Sequence, residues 1–541
     1  MKMAVANRVL SGSRGLVTRF FAPVLLLGWC AGWSGCVAED NPSDEDVIAI
    51  CAPNAVESCY EGATETEGVG VCTAGVRTCN SSGTGWSDCE GAVTPSTEDC
   101  DTAADENCDG LGECSGALRW VRVLGGQGGQ MAAAVEFDSR GHAIVSGSFS
   151  GTIDLDSTQL ESAGNLDFFA VELDSDGAAS RSLAFGGPEL DLAGMRLGPD
   201  GALVISQTFS GAMAIGDREV VSIGDQDAVL YATDWDGGAR WIRQFGNPVM
   251  QHAGSLAIGD TGDVTVSGYT LDGTLDLGGD PLTVENAACG NYLARYREDG
   301  THVWSRFFDG VDSNWGMLVA VDESGGMVVA GQAQGDVDLG GGVLPGGIDD
   351  PDIVLGYFDA QGNHVWSRRF GDDQFQNAKM TRTTDGDIVL AGRYAGTLEF
   401  DSTVLTHDDP DFHPAFVAKL APDGTERWAI DFAANTGVFS VTSDRSGNII
   451  FDGWFTDTVD FGCGDLVSAG DHDGYVVKLA SDGTCLWSRR FGGPAMDWSI
   501  GSTADEYGNI LTAGAFSGSM TIGSTTLTAD EFDAFVIKLA P

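Results

Sequence analysis

The residues whose types and spacing could do chemistry begin with Asp105, Asn107, Asp109 and Gly110, which follow the pattern D-x-N-x-D-G. Oxygen ligands on alternate residues can wrap a hard cation, and the glycine permits the sharp turn that brings them around it. Gly116 stands where such a loop carries its closing acid, so Glu113 or Asp101 would complete the set. Calcium is the cation this chemistry implies, and no organic cofactor is implied. The alternative is a solvated acidic turn held by neighbouring cysteines.

A second cluster, His407, Asp409, Asp411 and His413, lies inside Thr406–Pro414. Imidazoles and carboxylates so close together could bind a transition metal, or the stretch is a solvated loop insertion. A third set is spread along the chain at a fixed offset: Gln130, Asp191, Gln251, Asn314, Gln376 and Asp497. These carboxamides and carboxylates could ring the mouth of a central channel, or each could cap its own loop. No GxSxG, HExxH or phosphate-loop motif occurs. With 80 acidic residues, carboxylate pairs arise by chance and identify no catalytic site.

Eight cysteines, 51, 59, 72, 79, 89, 100, 108 and 114, crowd one stretch. An even number at this density reads as four disulfides in an oxidising compartment, with the pairing open. A core so small needs such staples. The spacing lacks paired CxxC motifs, which argues against structural zinc. Cys463 and Cys485 fall in one later repeat and could bond if their strands bring them within ~7 Å.

The elements that must position these residues are repeats. W-x-x-x-F recurs as Trp241/Phe245, Trp304/Phe308, Trp366/Phe370, Trp428/Phe432 and Trp487/Phe491, with weaker copies at Trp120/Leu124 and Arg181/Phe185. Glycine-bearing turns such as Asp138–Gly141 and Asp174–Gly177 recur in step, giving hairpin loops where glycine supplies positive φ. Four antiparallel strands per unit, repeated radially, predict an all-β, seven-bladed β-propeller. The array's first strand, 118–124, is expected to pair with 533–539 and close it, which would remove two sheet edges. On the outermost strand, Arg122, Arg243, Arg306, Arg368 and Arg489 share a face with the aromatics. Asp167, Asp227, Asp352, Asp473 and Asp533 are their expected partners across blades.

Two resemblances follow from these motifs. The pattern D-x-F-V-x-K-L…W-x-x-x-F-G-G…D-x-x-G-N-I resembles the bacterial β-propeller repeat family over 118–541. The stretch 51–114, with Gly85-Trp86 and Val93-Thr94-Pro95, resembles the Cys/Asp-rich metal-binding motif of secreted bacterial lipoproteins. These imply fold, export and a calcium-type site.

Residues 1–36 read as a targeting segment, with Lys2, Arg8, Arg14 and Arg19 before the apolar run Phe20–Trp33. Ser34-Gly35-Cys36 resembles a lipobox, with Trp33 where that motif carries an aliphatic residue. Cys36 is the expected lipidation site, and ordinary signal cleavage yielding a soluble secreted protein is the alternative. Residues 37–50 form an acidic spacer. The net charge of −52 excludes phosphate-backbone binding, and hence nucleic acid. The expectation is an exported, lipid-anchored protein of the cell envelope that presents its propeller to protein or glycan. The alternative is a propeller enzyme, quinoprotein-like or acting on polysaccharide.

Overall fold

The computed structural model describes residues 50–96, 104–108, 115–187, 192–271, 273–284, 290–309, 317–347, 351–372, 374–409 and 412–541. Among them the regular structure is β-strand, apart from a 3-10 turn at Thr64–Thr66. Two compact units are present. Among the described residues, one comprises 50–55 with Thr78–Ser87, and the other Val56–Arg77 with those from Asp88 to Pro541. In the first, Cys51 bonds Cys79, and the amide of Ile50 donates to the carbonyl of Gly83 at 2.8 Å. In the second, Cys59 bonds Cys89 and Cys72 bonds Cys108. Cys100 and Cys114 lie outside the described residues.

The larger unit is built from antiparallel sheets taken in chain order. The first orders Gln130–Phe137, Ala143–Phe149, Asp167–Leu173 and Ala179–Phe185. The same succession restarts at Leu192, Gln251, Leu318, Gln376 and Asp497. One unexpected continuity is strand Glu426–Ser443, which is outermost in one sheet and innermost in the next, so the two share it. The connection Ala433–Gly437 stays extended there, where other units turn.

The second and third strands are buried along most of their length, and Ala143–Phe149 and Asp167–Leu173 at every position. That is why they read as continuous apolar runs rather than alternating ones. Neighbouring sheets cover both their faces: Ile144, Phe168 and Ala170 pack on Leu203, Ile205 and Phe209 of the following sheet. Leu511, Ala513 and Val536 pack on Val145, Phe149 and Phe169, bringing the last sheet against the first. Leu118–Leu124 pairs antiparallel with the C-terminal part of Thr525–Leu539.

The turn at Asp138–Gly141 shows why the repeat carries aspartate and glycine. Asp138 Oδ1 accepts from the amides of Arg140 and His142 at 2.8 and 2.9 Å, and Gly141 takes φ 76°. Between the second and third strands, short separate hairpins form, among them Thr152–Asp154 with Gln159–Glu161 and Gly396–Glu399 with Val404–His407.

The outermost strands latch onto the next sheet. The indole Nε1 of Trp120, Trp241, Trp304, Trp366, Trp428 and Trp487 donates to the carbonyls of Ser175, Glu298, Ala360, Pro422, Ser481 and Pro541, at 2.7–3.2 Å. The arginines reach across as well, but the aspartates at the start of the third strands are not their partners. Arg243 and Arg306 donate from Nε to Gly300 and Gly362 carbonyls at 2.7 and 3.0 Å, and Arg122 pairs with Asp156 at 2.5 Å. Asp352 and Asp473 are held by Arg369 and Arg490, each at 2.5 Å. The reason is strand periodicity: these residues follow the latch arginine by one and face the opposite side.

Candidate functional site: the central cavity

The innermost strands converge on a cavity of about 640 Å³, lined by residues of Ala133–Phe137, Arg196–Leu197, Leu256–Ile258, Leu318–Val321, Lys379–Arg382, Phe439–Thr442 and Ile500–Ala504. That volume is within the range of small-molecule sites, ~300–1,000 Å³. The charge of its wall runs against that of the chain. Acidic residues outnumber basic ones 80 to 28 overall, yet the ionisable lining is Glu136, Arg196, Lys379 and Arg382.

Two of these cations are already held. Arg196 pairs with Glu136 at 3.4 Å, and Arg382 with Asp322 at 2.8 Å. Glu136 also accepts from the Leu197 amide at 2.7 Å. Burial nevertheless pushes its carboxyl above the usual range. Lys379 makes no hydrogen bond or ion pair among the described residues. Its burial holds the ammonium below its usual pKa, opposed by the more distant charge of Asp452.

Asp452 is fully buried behind the cavity wall, and its Oδ2 accepts from the hydroxyls of Ser440 and Ser502, both of which line the cavity. Its Oδ1 has no partner. Burial drives its pKa up to about 7 against those hydroxyl donors and Lys379. Lys379 and Ser440 occupy one rung of the repeat: Lys379 faces Ala391 across its sheet as Ser440 faces Asp452, Ala134 faces Ser146 and Gly501 faces Ala513. A lysine thus enters one sheet where Ala134, Gly194, Leu318 and Gly501 stand in other copies, and an aspartate the next, where the others carry serine or alanine. Sequence reading missed both. The signal was Asp452 itself, aligned with Ser146, Ser206, Ser267, Ala330, Ala391 and Ala513.

The residues expected to ring a channel mouth sit beside this cavity rather than in its wall. Gln130 donates from Nε2 to the carbonyls of Gln127, Gly128 and Thr152 at 3.0–3.1 Å. Gln251 Nε2 donates to Asn247 Oδ1 and to the Val249 carbonyl, and its Oε1 accepts from the Asn247 amide. Gln376 binds Asp372 and the Ala395 carbonyl, and Asp497 accepts from the Gly493 amide at 2.7 Å. All four are buried on their own loops. Burial, followed by the charge of Asp473, raises the pKa of Asp497 to about 7 against the Gly493 hydrogen bond. Asp191 and Asn314 lie outside the described residues.

Of the calcium-type set, Asp105 and Asn107 are buried, and Asn107 Nδ2 donates to the Tyr507 carbonyl at 3.4 Å. Asp101, Asp109, Glu113 and the lipidation residue Cys36 lie outside the described residues. The His407 ring lies tilted against Phe412 with centroids 4.7 Å apart, and His413 meets Phe375 edge-on at 5.4 Å; Asp411 lies outside the described residues. Cys463 and Cys485 are bonded, with Cα atoms 5.6 Å apart.

One further cluster was not foreseen. The ligand atoms of Asp138, His142 and Glu172 lie within 4.8 Å of one another. Arg140 and Arg181 already occupy Glu172 Oε2. Burial would raise the Glu172 pKa, but the bonds from Arg181 and Ser180 take it down to about 2. Glu172 stands where other third strands carry Lys419, Lys478 or Lys538, so the arginines compensate an inverted charge.

No family model and no curated protein matches this chain. Solved structures do. A virginiamycin B lyase from Staphylococcus aureus is similar with TM-score 0.33 and 9% identity, over 77% of this chain and 98% of that one. NanB sialidase from Streptococcus pneumoniae gives 0.31 and 10%, over 78% and 68%. The rhamnogalacturonan lyase YesW gives 0.30 and 11%, over 77% and 75%. These are propeller folds, and likeness at this level carries nothing about activity.

Proposed function

We propose that the chain is an exported binding protein of the cell envelope: a seven-bladed propeller, closed by the pairing of 118–124 with 533–539, anchored through lipidated Cys36 and carried on a disulfide-stapled, calcium-binding neck. The partner is a protein or glycan. The supporting observation is where the repeat stops being regular. The hairpins between second and third strands differ in length and chemistry and hold Val221, Val343, Val404 and Val467 more than half exposed. Exposed apolar side chains on variable hairpins carried by a rigid scaffold are where binding resides.

A glycan and peptide array probed with and without EDTA tests the reading. Binding that falls when Val343 and Val404 are both changed to Asp supports it. A tightly held organic cofactor in native mass spectra would replace it with the enzyme alternative. Membrane fractionation of wild type and Cys36→Ser tests the anchor: the variant should leave the membrane fraction.

A further inference from the structure

We propose that the central cavity is a binding site for small organic anions, with the ligand's negative group held by Lys379 and its apolar part against Phe439 and Ile500. The inference is independent of the partner-binding face.

Three observations converge on it. First, the wall selects cations from a chain that has few of them. A surface drawn at random from this composition would carry about three acids for each base. Second, the cations are not equivalent. Arg196 and Arg382 are spent on Glu136 and Asp322, whereas Lys379 alone of the lining cations has no ion-pair partner among the described residues. A desolvated ammonium without a partner is costly, and the cost falls when an anion enters. Third, the buried carboxylate whose charge Lys379 feels is engaged elsewhere: Asp452 Oδ2 accepts from the hydroxyls of Ser440 and Ser502, and no ion pair joins it to Lys379 among the described residues. The ammonium is therefore left for a ligand rather than neutralised by the protein. Phe439 and Ile500, both partly exposed at the cavity, supply apolar wall, so a carboxylate on a short hydrocarbon matches better than an inorganic ion.

The test uses the full chain. Lys379 is acetylated with a limiting amount of acetic anhydride, and its modification is read by peptide mass spectrometry with hexanoate, 1-hexanol or inorganic phosphate present. Hexanoate is expected to slow modification of Lys379 selectively, at least about tenfold below the concentration at which hexanol does so. Calorimetry should show hexanoate affinity falling about tenfold in Lys379→Met and largely kept in Lys379→Arg. Equal protection by hexanol, absence of protection by hexanoate, or unchanged affinity in Lys379→Met would each overturn the proposal. Protection by phosphate equal to that by hexanoate would overturn the apolar half of it. The labelling arm needs no variant, so a folding defect in Lys379→Met leaves the test intact.

Discussion

The indole of Trp241 lies flat against Gly300 of the following sheet: a Cβ on Gly300 would stand 2.6 Å from the Trp241 ring. Gly300 also takes φ 76° and offers its carbonyl to Arg243. The same seat is filled by Gly362 under Trp304, Gly424 under Trp366 and Gly116 under Trp487. Turn glycine and strand tryptophan are therefore one device joining consecutive sheets. Gly237 is the natural control: it has φ 82°, but its neighbour is Phe185, 4.0 Å away, because that unit lacks the tryptophan. Both Gly300→Ala and Gly237→Ala bear the positive-φ cost of ~1 kcal/mol. Gly300→Ala should lose a further ~1–3 kcal/mol from overpacking. Thermal melts of the two variants check this, and equal losses would remove the indole contact as the cause.

The disulfide between Cys463 and Cys485 occupies a place that other units fill without sulfur. Cys485 begins its outermost strand as His302 and His364 begin theirs. A Cβ at Gly279 would lie 2.6 Å from His302, so glycine on the hairpin makes room for the imidazole. Cys463 aligns with Gly279 and Gly341 in the segments DFGCG, DLGGD and DLGGG. Removing the bridge as Cys463→Ser with Cys485→Ser should cost about 3 kcal/mol by loop entropy. The double change Cys463→Gly with Cys485→His rebuilds the alternative and should recover part of that loss. Melting under non-reducing conditions distinguishes them.

Much of this architecture was legible because its causes are local. Turn glycines, the two-residue period and the W-x-x-x-F strand each act within a few residues, and their recurrence fixed the sheets. The Arg–Asp pairing was misread because the one-residue offset that sends Arg368 to Gly424 and Arg369 to Asp352 depends on which face meets the next sheet. A central channel was expected from the repeats, but the residues that line it were not legible. Lys379 and Asp452 come near only through two successive sheets that share Glu426–Ser443, and nothing local in the sequence links them. The continuous strand Glu426–Ser443 was missed for a related reason: four separate strands were expected in every repeat, whereas pairing of Asn435 with Pro414 and of Thr436 and Gly437 with Phe455 and Trp454 keeps the connection extended.

The acidic neck yields a prediction about cations. Asp105 and Asn107 are less than a tenth exposed, a costly position for polar groups unless well bonded. Calcium should raise the protease resistance of residues 51–114, and EDTA should lower it. Asp109→Ala should make the protein indifferent to both. Limited proteolysis under non-reducing conditions reads this out, and resistance unchanged by EDTA would leave the disulfides as the stapling of that region.

Asp452 predicts how stability depends on pH. Its folded-state pKa is about 7, well above the ordinary aspartate range. Between roughly pH 4 and pH 7 the folded state therefore holds a proton that the unfolded chain has lost. Stability from this residue is present in full below the unfolded pKa and is lost as pH rises through 7. The upper bound for a shift of this size is on the order of 4 kcal/mol. Asp452→Ser places there the residue that Ser206 and Ser267 provide in other sheets, and removes the titration. Relative to wild type, the variant should gain stability steadily from pH 4 to pH 8, with most of the gain before pH 7. Chemical denaturation of both proteins across that range checks it. Comparing the two cancels the pH dependence of the other carboxylates, including Asp497, whose raised pKa gives wild type and variant the same slope. A difference that stays flat with pH would mean that Asp452 is ionised in the folded protein and has found a cation, and Lys379 is the nearest candidate.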